Sequence, residues 1–361
     1  MGDDLPDYPS HRQVLGYLRD FADSRGLKDR ITFGVGAEEV AKTDDGWTVR
    51  RTDGTTRPYD AVICCTGAQW TPNVPDLPGT FDGEVRHANT YRDPAELRGK
   101  RVLVVGAGNS GCDIAGDAGR TADRAVLSMR RGYWFIPKHI FGMPVDVFAE
   151  QGPQLPVWLQ QRVFGAILRL LNGDPRRVGL QKPDHRLFET HPIVNSTLLH
   201  HLQHGDVVPR PGIATTSGRT ITFTDGSTEE IDLVLLATGY RQAVPYAQRY
   251  FGEEQHPDLY LSTFSREHPN LFGVGFLETN SGALPHYGRA ARMVARYLLD
   301  QEDQPARAKT FEHLIANDRP DLSSGIKFDS SPRHQGYVDS HALATYQRKV
   351  IGRMGWPEVP R

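Results

Sequence analysis

The chain has 361 residues, of which 38% are hydrophobic and 24% charged, a balance typical of a globular protein with one large domain or two ordinary ones. The formal net charge is −2 and no basic block stands out, so we expect no nucleic-acid partner. Three cysteines without a CxxC pair argue against a disulfide framework and favour a reducing, cytoplasmic location.

The first predicted element is an amphipathic helix over residues 11–25. Ser10 and Gln13 are spaced as a capping box, in which each side chain satisfies an N–H group at a helix start. Gly26 supplies a C-cap. The apolar residues that follow at helical spacing are Val14, Leu15, Leu18, Phe21 and Ala22.

Three short strands are predicted next, over residues 31–35, 46–52 and 60–67. Asp53-Gly54 lies between the last two strands and is typical of a hairpin turn. Residues 68–100 are rich in proline and show little periodicity, which predicts a linker.

A glycine-rich turn follows the linker. The apolar run 102–105 leads into Gly106-Ala-Gly108-Asn109-Ser110-Gly111, and a helix is predicted to begin near Cys112. This order of strand, GxGxxG and helix is that of a dinucleotide-binding unit. The first glycine permits a tight turn, the second lets the backbone approach a pyrophosphate, and the third lets the helix pack on the strand. The helix N-terminus offers free N–H groups to the phosphates. A glycine-rich turn without a ligand is the alternative.

The next strand, predicted over residues 125–129, indicates which nucleotide fits. An NAD site places an acidic residue at the end of this strand to hold the ribose hydroxyls. This sequence has Arg130 and Arg131 there, and planar guanidinium groups bind phosphate oxygens in pairs. The sequence therefore predicts NADP(H), with two solvated surface arginines as the alternative.

Residues 156–171 form the most membrane-like stretch. The stretch is shorter than the ~20 residues that span a bilayer, and Arg162 and Arg169 interrupt it, so no transmembrane segment is expected. An amphipathic helix packed on the protein is the simpler interpretation. A helix lying in a membrane surface or lining a substrate entrance is the alternative.

Three histidines lie close together at His200, His201 and His204, on a predicted helix. No HExxH glutamate accompanies them and the flanking residues are polar, so we expect a solvated face and no metal site.

The stretch 219–240 repeats the pattern of the first hairpin, 172 residues further along the chain and without a gap. We therefore expect two nucleotide-binding domains that each end in this element. The residues before the first copy contain no strand–GxGxxG–helix, so the opening unit of the first domain is expected to be missing. Candidate cofactor-binding residues at the ends of the two copies are Thr66, Gly67, Thr238 and Gly239.

Residues 81–91, FDGEVRHANTY, contain the pattern Phe81-x-Gly83-xxx-His87-xxx-Tyr91. This pattern resembles the signature of the flavin-containing monooxygenase family, and the resemblance covers nearly the whole chain. Further segments that resemble that family are GKRVLVVGAGNSGCDIA (99–115), RRGYWFIPK (130–138), HPIVNSTL (191–198), LATGY (236–240) and YVDSHA (337–342).

The resemblance implies an FAD- and NADPH-dependent monooxygenase. In this family NADPH reduces FAD, and the reduced flavin captures O2 as a C4a-hydroperoxide that oxidises an amine nitrogen or a sulfide sulfur. Baeyer–Villiger oxidation of a ketone is a second interpretation, and a non-catalytic NADP-binding fragment is a third. Tyr91 stands where the usual Baeyer–Villiger signature has Trp, which favours N- or S-oxygenation. No catalytic side chain is assigned, because the cofactor carries the chemistry.

The expected fold is α/β, with two Rossmann-like, doubly wound domains, the NADP domain inserted into an FAD domain whose first βαβ unit is missing. Expected partners are a small-molecule substrate and O2, and a homodimer is compatible with this interpretation. The expected segments are 1–75 of the FAD-type domain, a linker with the signature at 76–97, the NADP-binding domain at 98–235, and a return segment with C-terminal helices at 236–361.

Overall fold

The computed structural model describes residues 5–151, 155–252, 257–331, 334 and 336–357. The chain divides into two compact units. The first unit consists of residues 1–62 and 245–250, and the second of residues 63–244 and 251–361.

Short strands outnumber helices along the described residues. The helices are α1 His11–Ser24, α2 Asn109–Thr121, α3 Val145–Gln151, α4 Val157–Asn172, α5 Leu198–His204, α6 Gln248–Phe251, α7 Leu284–Asp303, α8 Pro305–Asn317 and α9 Ser340–Arg353. The strands are β1 Ala37–Thr43, β2 Gly46–Arg51, β3 Thr56–Tyr59, β4 Val62–Cys64, β5 Thr71–Pro72, β6 Glu84–His87, β7 Arg101–Val105, β8 Arg124–Ser128, β9 Phe135–Ile136, β10 His139–Ile140, β11 Met143–Pro144, β12 Ile193–Val194, β13 Val207–Arg210, β14 Ile213–Ser217, β15 Thr220–Phe223, β16 Thr228–Glu230, β17 Leu233–Leu236, β18 Tyr240–Arg241, β19 Leu259–Tyr260, β20 Phe264–Ser265, β21 Leu271–Gly273, β22 Glu278–Thr279 and β23 Tyr337–Val338.

The first helix, α1, confirms the predicted helix and its capping box. The Ser10 N–H donates to Gln13 Oε1 at 2.8 Å, and the Gln13 N–H donates to Ser10 Oγ at 3.4 Å. No residue of α1 is buried, and Leu15, Leu18 and Phe21 on its apolar face are exposed. The helix is therefore stabilised by its caps and backbone bonds rather than by packing.

In the first unit, β1, β2 and β3 form an antiparallel sheet. Trp47 lies at its centre, buried, with its ring edge-on to Tyr250 at 5.0 Å between centroids. The Tyr250 hydroxyl accepts the N–H of Lys42 at 2.8 Å. These contacts give the small unit its core.

Two strand predictions in this region need correction. Residues 31–35 are not a strand, because Gly34 has a φ of +72°, which breaks the extended backbone, and Phe33 is exposed. The strand predicted over 60–67 is limited to β4. The hairpin at Asp53-Gly54 joins β2 to β3, a strand that the sequence interpretation did not include.

A parallel sheet in the order β13-β8-β7-β17-β6 is the main sheet of the second unit. From β7 the chain passes through α2 to β8 and then outward to β13, whereas β17 and β6 lie on the other side of β7. The strand order therefore reverses between β7 and β17, and ligands of such sheets bind outside the carboxyl ends of the strands at this point.

Both faces of this sheet are covered. Side chains of α2 and α5, including Cys112, Ala115 and Leu198, pack on one face. Ile221 and Phe223 of the antiparallel sheet β14-β15-β16 pack on the other face. Burial on both faces explains why the sequences of β7 and β17 are continuous apolar runs rather than alternating ones.

The segment 68–100 is not a plain linker. Its strand β6 pairs with β17 and forms one edge of the parallel sheet, with Val85 opposite Val234. β6 lies inside the pattern of residues 81–91, so that pattern describes part of the sheet.

The sequence repeat is also a structural repeat, with each copy consisting of a three-stranded antiparallel sheet followed by another strand. In the first copy the Asp53 carboxylate accepts the Thr55 N–H at 3.0 Å and its hydroxyl at 2.6 Å. In the second copy the Asp225 carboxylate accepts the Ser227 N–H at 3.0 Å and its hydroxyl at 2.6 Å. The same side-chain turn therefore closes both hairpins.

Helices α7 and α8 complete the second unit around an aromatic cluster. The rings of Phe264, Tyr297 and Phe311 meet edge-to-face at centroid distances of 5.0 to 6.3 Å. Asp300, buried in α7, accepts the Trp356 indole N–H at 2.7 Å and pairs with Arg307.

Candidate functional site

The glycine turn after β7 is tightly packed. Gly106 has a φ of +103°, and a Cβ on it would lie 2.6 Å from the carbonyl oxygen of Ala237. A Cβ on Gly111 would overlap the carbonyl oxygen of Gly106. Both positions therefore require glycine, as a dinucleotide turn does.

Helix α2 begins at Asn109, three residues earlier than predicted, with Gly108 as its N-cap. No side chain caps this helix. The N–H groups of Asn109, Ser110 and Gly111 belong to the first turn, which has no helix carbonyl to receive them. They lie at the carboxyl edge of the sheet and can receive a phosphate.

Asn109 also has a structural partner. Its amide oxygen accepts the N–H of Val194 at 2.8 Å, and one turn later Asp113 accepts the side-chain amide of Asn195 at 2.8 Å. Burial raises the pKa of Asp113 above its usual range. Segment 191–195 is therefore held against the first turns of α2. Sequence reasoning missed this, although Asn and Asp four residues apart at a helix start were a usable signal.

The two arginines after β8 have different environments. Arg131 donates to Asp329 at 2.8 Å and to Asp184 at 2.7 Å, and its guanidinium holds the pKa of Asp329 well below its usual range. Arg130 is exposed and forms no ion pair within the described part of the chain. Of the two, Arg130 therefore presents the unpaired guanidinium at the sheet edge.

Phe81 and Gly83 position the edge strand β6 against its neighbour β17. Phe81 packs with the cluster on the β14–β16 face of the sheet. A Cβ on Gly83 would lie 2.7 Å from the carbonyl oxygen of Asp232, which accepts the N–H of Glu84 at 3.0 Å. Gly83 thus allows the chain to approach β17 closely.

His87 and Tyr91 fix the other end of that strand. His87 is buried, and its Nδ1 accepts the Asn89 N–H at 3.1 Å, so Nε2 carries the proton and donates to the Gly239 carbonyl at 3.0 Å. The Tyr91 hydroxyl donates to Asp117 of α2 at 2.9 Å, and burial raises its pKa. All four residues of the pattern position β6 against the sheet and α2.

The two Thr-Gly pairs lie after different sheets. Thr238 donates its hydroxyl to the Asn73 carbonyl at 2.5 Å, and the Asn73 N–H donates to Gly239 at 2.9 Å. Thr66 and Gly67 follow β4, which belongs to the sheet β19-β20-β21-β4. The structure therefore brings His87 together with Gly239, and it places the two Thr-Gly pairs after strands of different sheets.

Buried polar atoms without a hydrogen-bond partner in the described residues include Thr66 Oγ1, Ser281 Oγ and His286 Nδ1. The other His286 nitrogen lies 2.8 Å from Ser340 Oγ, and burial lowers the pKa of His286. Such atoms are costly unless a ligand or water satisfies them.

The three histidines of α5 do not form a cluster of metal ligands. The expected solvated face is wrong for His201, which is buried, with its ring between Asp206 at 2.9 Å and the Arg120 guanidinium at 3.2 Å. His204 contacts the His200 carbonyl at 2.9 Å. Among the described residues, no group of three or more His, Cys, Asp or Glu side chains could hold a metal ion.

Helix α4 lines two cavities. The smaller, of about 200 Å³, is mostly apolar, with Phe148, Phe164 and Phe188 on its walls and Asn280 and Ser281 as polar groups. The larger, of about 760 Å³, lies on the side of Trp134 and Trp158. Of the helices described, none combines the length and the hydropathy needed to cross a bilayer.

Residues 1–345 match the protein family described as flavin-binding monooxygenase-like. The chain is 30% identical over 290 residues to the probable indole-3-pyruvate monooxygenase YUCCA9 of Arabidopsis thaliana, covering 76% of this chain and 69% of that protein. It is 29% identical over 366 residues to flavin-containing monooxygenase 5 of Rattus norvegicus, covering 94% of this chain and 67% of that protein.

Two solved structures show the same architecture. The S-allyl-L-cysteine S-oxygenase from Allium sativum matches 100% of this chain and 70% of its own, with a TM-score of 0.63 and 18% identity. An ε-caprolactone-bound cyclohexanone monooxygenase matches 97% of this chain and 84% of its own, with a TM-score of 0.65 and 16% identity. These similarities confirm the expected α/β fold with two Rossmann-like domains.

Proposed function

The chain belongs to the flavin-binding monooxygenase-like family, whose members use FAD and NADPH, and we propose that it inserts one oxygen atom from O2 into an amine nitrogen or a sulfide sulfur. When bound, the flavin supplies the oxygen-activating chemistry. The residues of this chain hold the nucleotides, orient the substrate and exclude water. The observation that supports nucleotide-dependent chemistry is the packed glycine turn at the carboxyl edge of the parallel sheet. The choice of nitrogen or sulfur over a ketone rests on Tyr91 at the end of the pattern 81–91.

NADPH would bind at this edge. Gly106, Gly108 and Gly111 bring the backbone close to the pyrophosphate, and the first turn of α2 donates its free N–H groups. Residues 98–235 form this NADP domain in the proposal, with β6 added from the segment before it. His87, through its bond to Gly239, keeps the end of β17 in place beside the turn.

Arg130 is the proposed contact of the 2′-phosphate. Its guanidinium is exposed at the end of β8 and unpaired among described residues, and it can offer two parallel N–H donors to phosphate oxygens. Arg131 has its donors engaged by Asp184 and Asp329, so we assign it the role of holding the segment after β8 in position.

FAD could supply hydrogen-bond partners to buried polar atoms of the second unit that have none among the described residues. Thr66, which follows β4, and Ser281 each have a buried hydroxyl without a partner among the described residues, and an FAD molecule offers many hydrogen-bonding groups. Gly67, with a φ of +75°, lets the backbone turn next to Thr66. Thr66, Gly67 and Ser281 are the proposed flavin contacts, while Thr238 and Gly239 act indirectly by anchoring Asn73.

The smaller cavity is the proposed substrate cavity. Its aromatic walls exclude water, and Ser281 links it to the proposed flavin contacts. Burial of an amine in such a cavity favours the neutral form. That form presents the nitrogen lone pair that oxygenation requires.

The test is a product analysis with the purified chain and added FAD. We expect a flavin absorbance near 450 nm that stays with the protein, NADPH oxidation that depends on O2, and an N-oxide or sulfoxide from a tertiary amine or a thioether. A ketone and indole-3-pyruvate are included, because the chain resembles a cyclohexanone monooxygenase and an indole-3-pyruvate monooxygenase.

Each result decides between the interpretations. An ester or lactone as the dominant product would support Baeyer–Villiger oxidation, and conversion of the 2-oxo acid alone would support a role like that in the name of the plant relative. Binding of NADPH without flavin retention or oxidation would support a non-catalytic NADP-binding chain. Any of these three outcomes overturns the proposed N- or S-oxygenation.

A further inference from the structure

The larger cavity, of about 760 Å³, is a second candidate site. It lies between α4, the segment 133–135 and the loop 173–187. Its volume is within the range of sites for one small organic molecule. None of its lining residues belongs to the glycine turn, to the arginines after β8 or to the two Thr-Gly pairs.

The rim of this cavity is strongly cationic. Among its lining cations, Arg176 is neutralised by Asp174, whose carboxylate accepts Arg176 Nη2 at 2.6 Å. Asp174 is also the only carboxylate of the lining, which consists wholly of described residues. The remaining lining cations, which form no ion pair with any described residue, are Arg162, Arg169, Lys182 and Arg186.

Two of these cations rest on aromatic walls. The Arg169 guanidinium lies 5.3 Å from the centre of the Trp134 ring, and the Arg162 guanidinium lies 5.8 Å from that of Trp158. These contacts orient the guanidinium groups and leave their charge uncompensated. Below the exposed rim the walls are apolar, with Leu168 and Leu187 buried.

Three polar side chains in the walls of the cavity donate hydrogen bonds to backbone carbonyl groups of the protein. Trp134 Nε1 donates to the His185 carbonyl at 3.0 Å, Gln161 to the Leu187 carbonyl at 2.9 Å, and Asn172 to the Phe135 carbonyl at 2.7 Å. The side chains of Trp134, Gln161 and Asn172 are thereby engaged within the protein. The charged groups that the lining offers to a ligand are therefore cations, next to apolar and aromatic surface.

We propose that this cavity binds an amphipathic organic anion, with an aromatic or aliphatic body against Trp134, Leu168 and Leu187 and a carboxylate between Arg162, Arg169 and Arg186. The site is separate from the proposed NADPH and flavin contacts. Its occupant binds without either nucleotide.

The test compares three probes with the same ring body, 2-naphthoate, 2-naphthalenemethanol and 2-naphthylmethylammonium. Binding to the purified chain is measured by calorimetry and by quenching of tryptophan fluorescence, without FAD or NADPH. We expect naphthoate to bind about tenfold more tightly than the alcohol, as one charge-assisted contact allows. The ammonium probe is expected not to bind, and added salt should weaken naphthoate binding alone.

The variant Arg162→Gln/Arg169→Gln is expected to bind naphthoate no better than the alcohol, while its binding of the alcohol is retained and shows that the cavity is intact. Arg177→Gln is the matched control, because Arg177 is exposed beside the cavity but does not line it. Equal binding of all three probes, or no binding of naphthoate, overturns the proposal. Competitive displacement of naphthoate by NADPH also overturns it, since the cavity would then belong to the dinucleotide site. None of these readouts depends on oxygenation.

Discussion

Arg130 and Arg131, the two adjacent arginines after β8, have different environments and therefore different proposed roles. Arg131 forms ion pairs with Asp184 and Asp329. Arg130, at the sheet edge, forms no ion pair with any described residue. A sequence shows two equivalent guanidinium groups. Asp329 is 198 residues away from Arg131, so no local pattern could have indicated this pair.

Replacement of Arg130 by Ala is expected to weaken NADPH binding about tenfold, because a charge-assisted phosphate contact is lost. NADH binding should be unchanged, since NADH lacks the 2′-phosphate. Calorimetric titration with both nucleotides measures the difference. Arg19→Ala, at an exposed position of α1, serves as the control and should alter neither affinity. An equal loss for NADPH and NADH would contradict the assignment.

Replacement of Arg131 by Ala is expected to lower the free energy of unfolding by about 1–3 kcal/mol, because two carboxylates lose their partner. The affinity of this variant for NADPH and its affinity for NADH should fall by the same factor. Thermal unfolding beside the same titrations measures both effects. A selective loss of NADPH binding with unchanged stability would assign the phosphate to Arg131 instead.

Asp232 gives a prediction for the pH dependence of stability. Its carboxylate accepts Arg101 Nη2 and Arg219 Nη1, each at 2.8 Å, and these bonds hold its pKa well below the usual range. A depressed folded-state pKa stabilises the protein above the unfolded pKa, and this stabilisation is lost as the pH falls toward the folded pKa.

Asp232→Asn is therefore expected to cost about 1–3 kcal/mol of unfolding free energy at neutral pH, and the gap from the original protein should narrow below about pH 4. Denaturant unfolding at several pH values measures this gap. Asp20→Asn, on exposed α1, is the control without an ion pair among described residues. A gap that stays constant down to pH 3 would contradict the assigned cause.

Helix α2 is the element on which the proposed nucleotide site depends most. Gly111→Ala is expected to reduce NADPH affinity and stability, because the added Cβ would overlap the Gly106 carbonyl oxygen. Gly116→Ala, later in the same helix, is the matched control, because its Cβ would meet side-chain atoms at 3.5 Å or more.

The control variant Gly116→Ala should have a free energy of unfolding about 0.5–1 kcal/mol higher than that of the original protein, because alanine loses less conformational entropy than glycine when a helix forms. Nucleotide titration and thermal unfolding of both variants test the pair. If Gly111→Ala bound NADPH as the original protein does, the turn would not be the nucleotide contact.

Elements with a strong local signal were predictable. The capping box indicated α1, and the apolar run before Gly106 indicated β7. β6 was not predicted as a strand, because it is an edge strand of four residues whose partner, β17, is distant in sequence. The strand predicted at 31–35 rested on apolar residues of which Ile31 and Phe33 are exposed, so their hydrophobicity does not indicate strand pairing.

At the scale of the molecule, stability is expected to differ strongly between elements. α1 has no buried residue, whereas all four residues of β17 are buried. Local opening should therefore cost little free energy for α1 and approach that of global unfolding for β17. Amide hydrogen exchange, followed by mass spectrometry, measures this gradient. Slow exchange throughout α1 would contradict it and would show that the helix is covered in solution.

The α/β class and the paired hairpins were predictable for the whole molecule, because the GxGxxG turn and the Asp-Gly repeat are local patterns. The two cavities were not. Their walls combine α4 with segments 133–136 and 173–194, and no periodicity specifies how such segments meet. The arginines of α4 were noted only as interruptions of an apolar stretch.

Leu168 and Leu187 line both cavities. Each of the two side chains therefore forms part of the wall of both cavities. A smaller residue at either position is expected to enlarge both cavities. A bulkier residue would shrink both at once. A substitution at Leu168 or Leu187 that changes ligand binding in one cavity is therefore expected to change ligand binding in the other cavity as well.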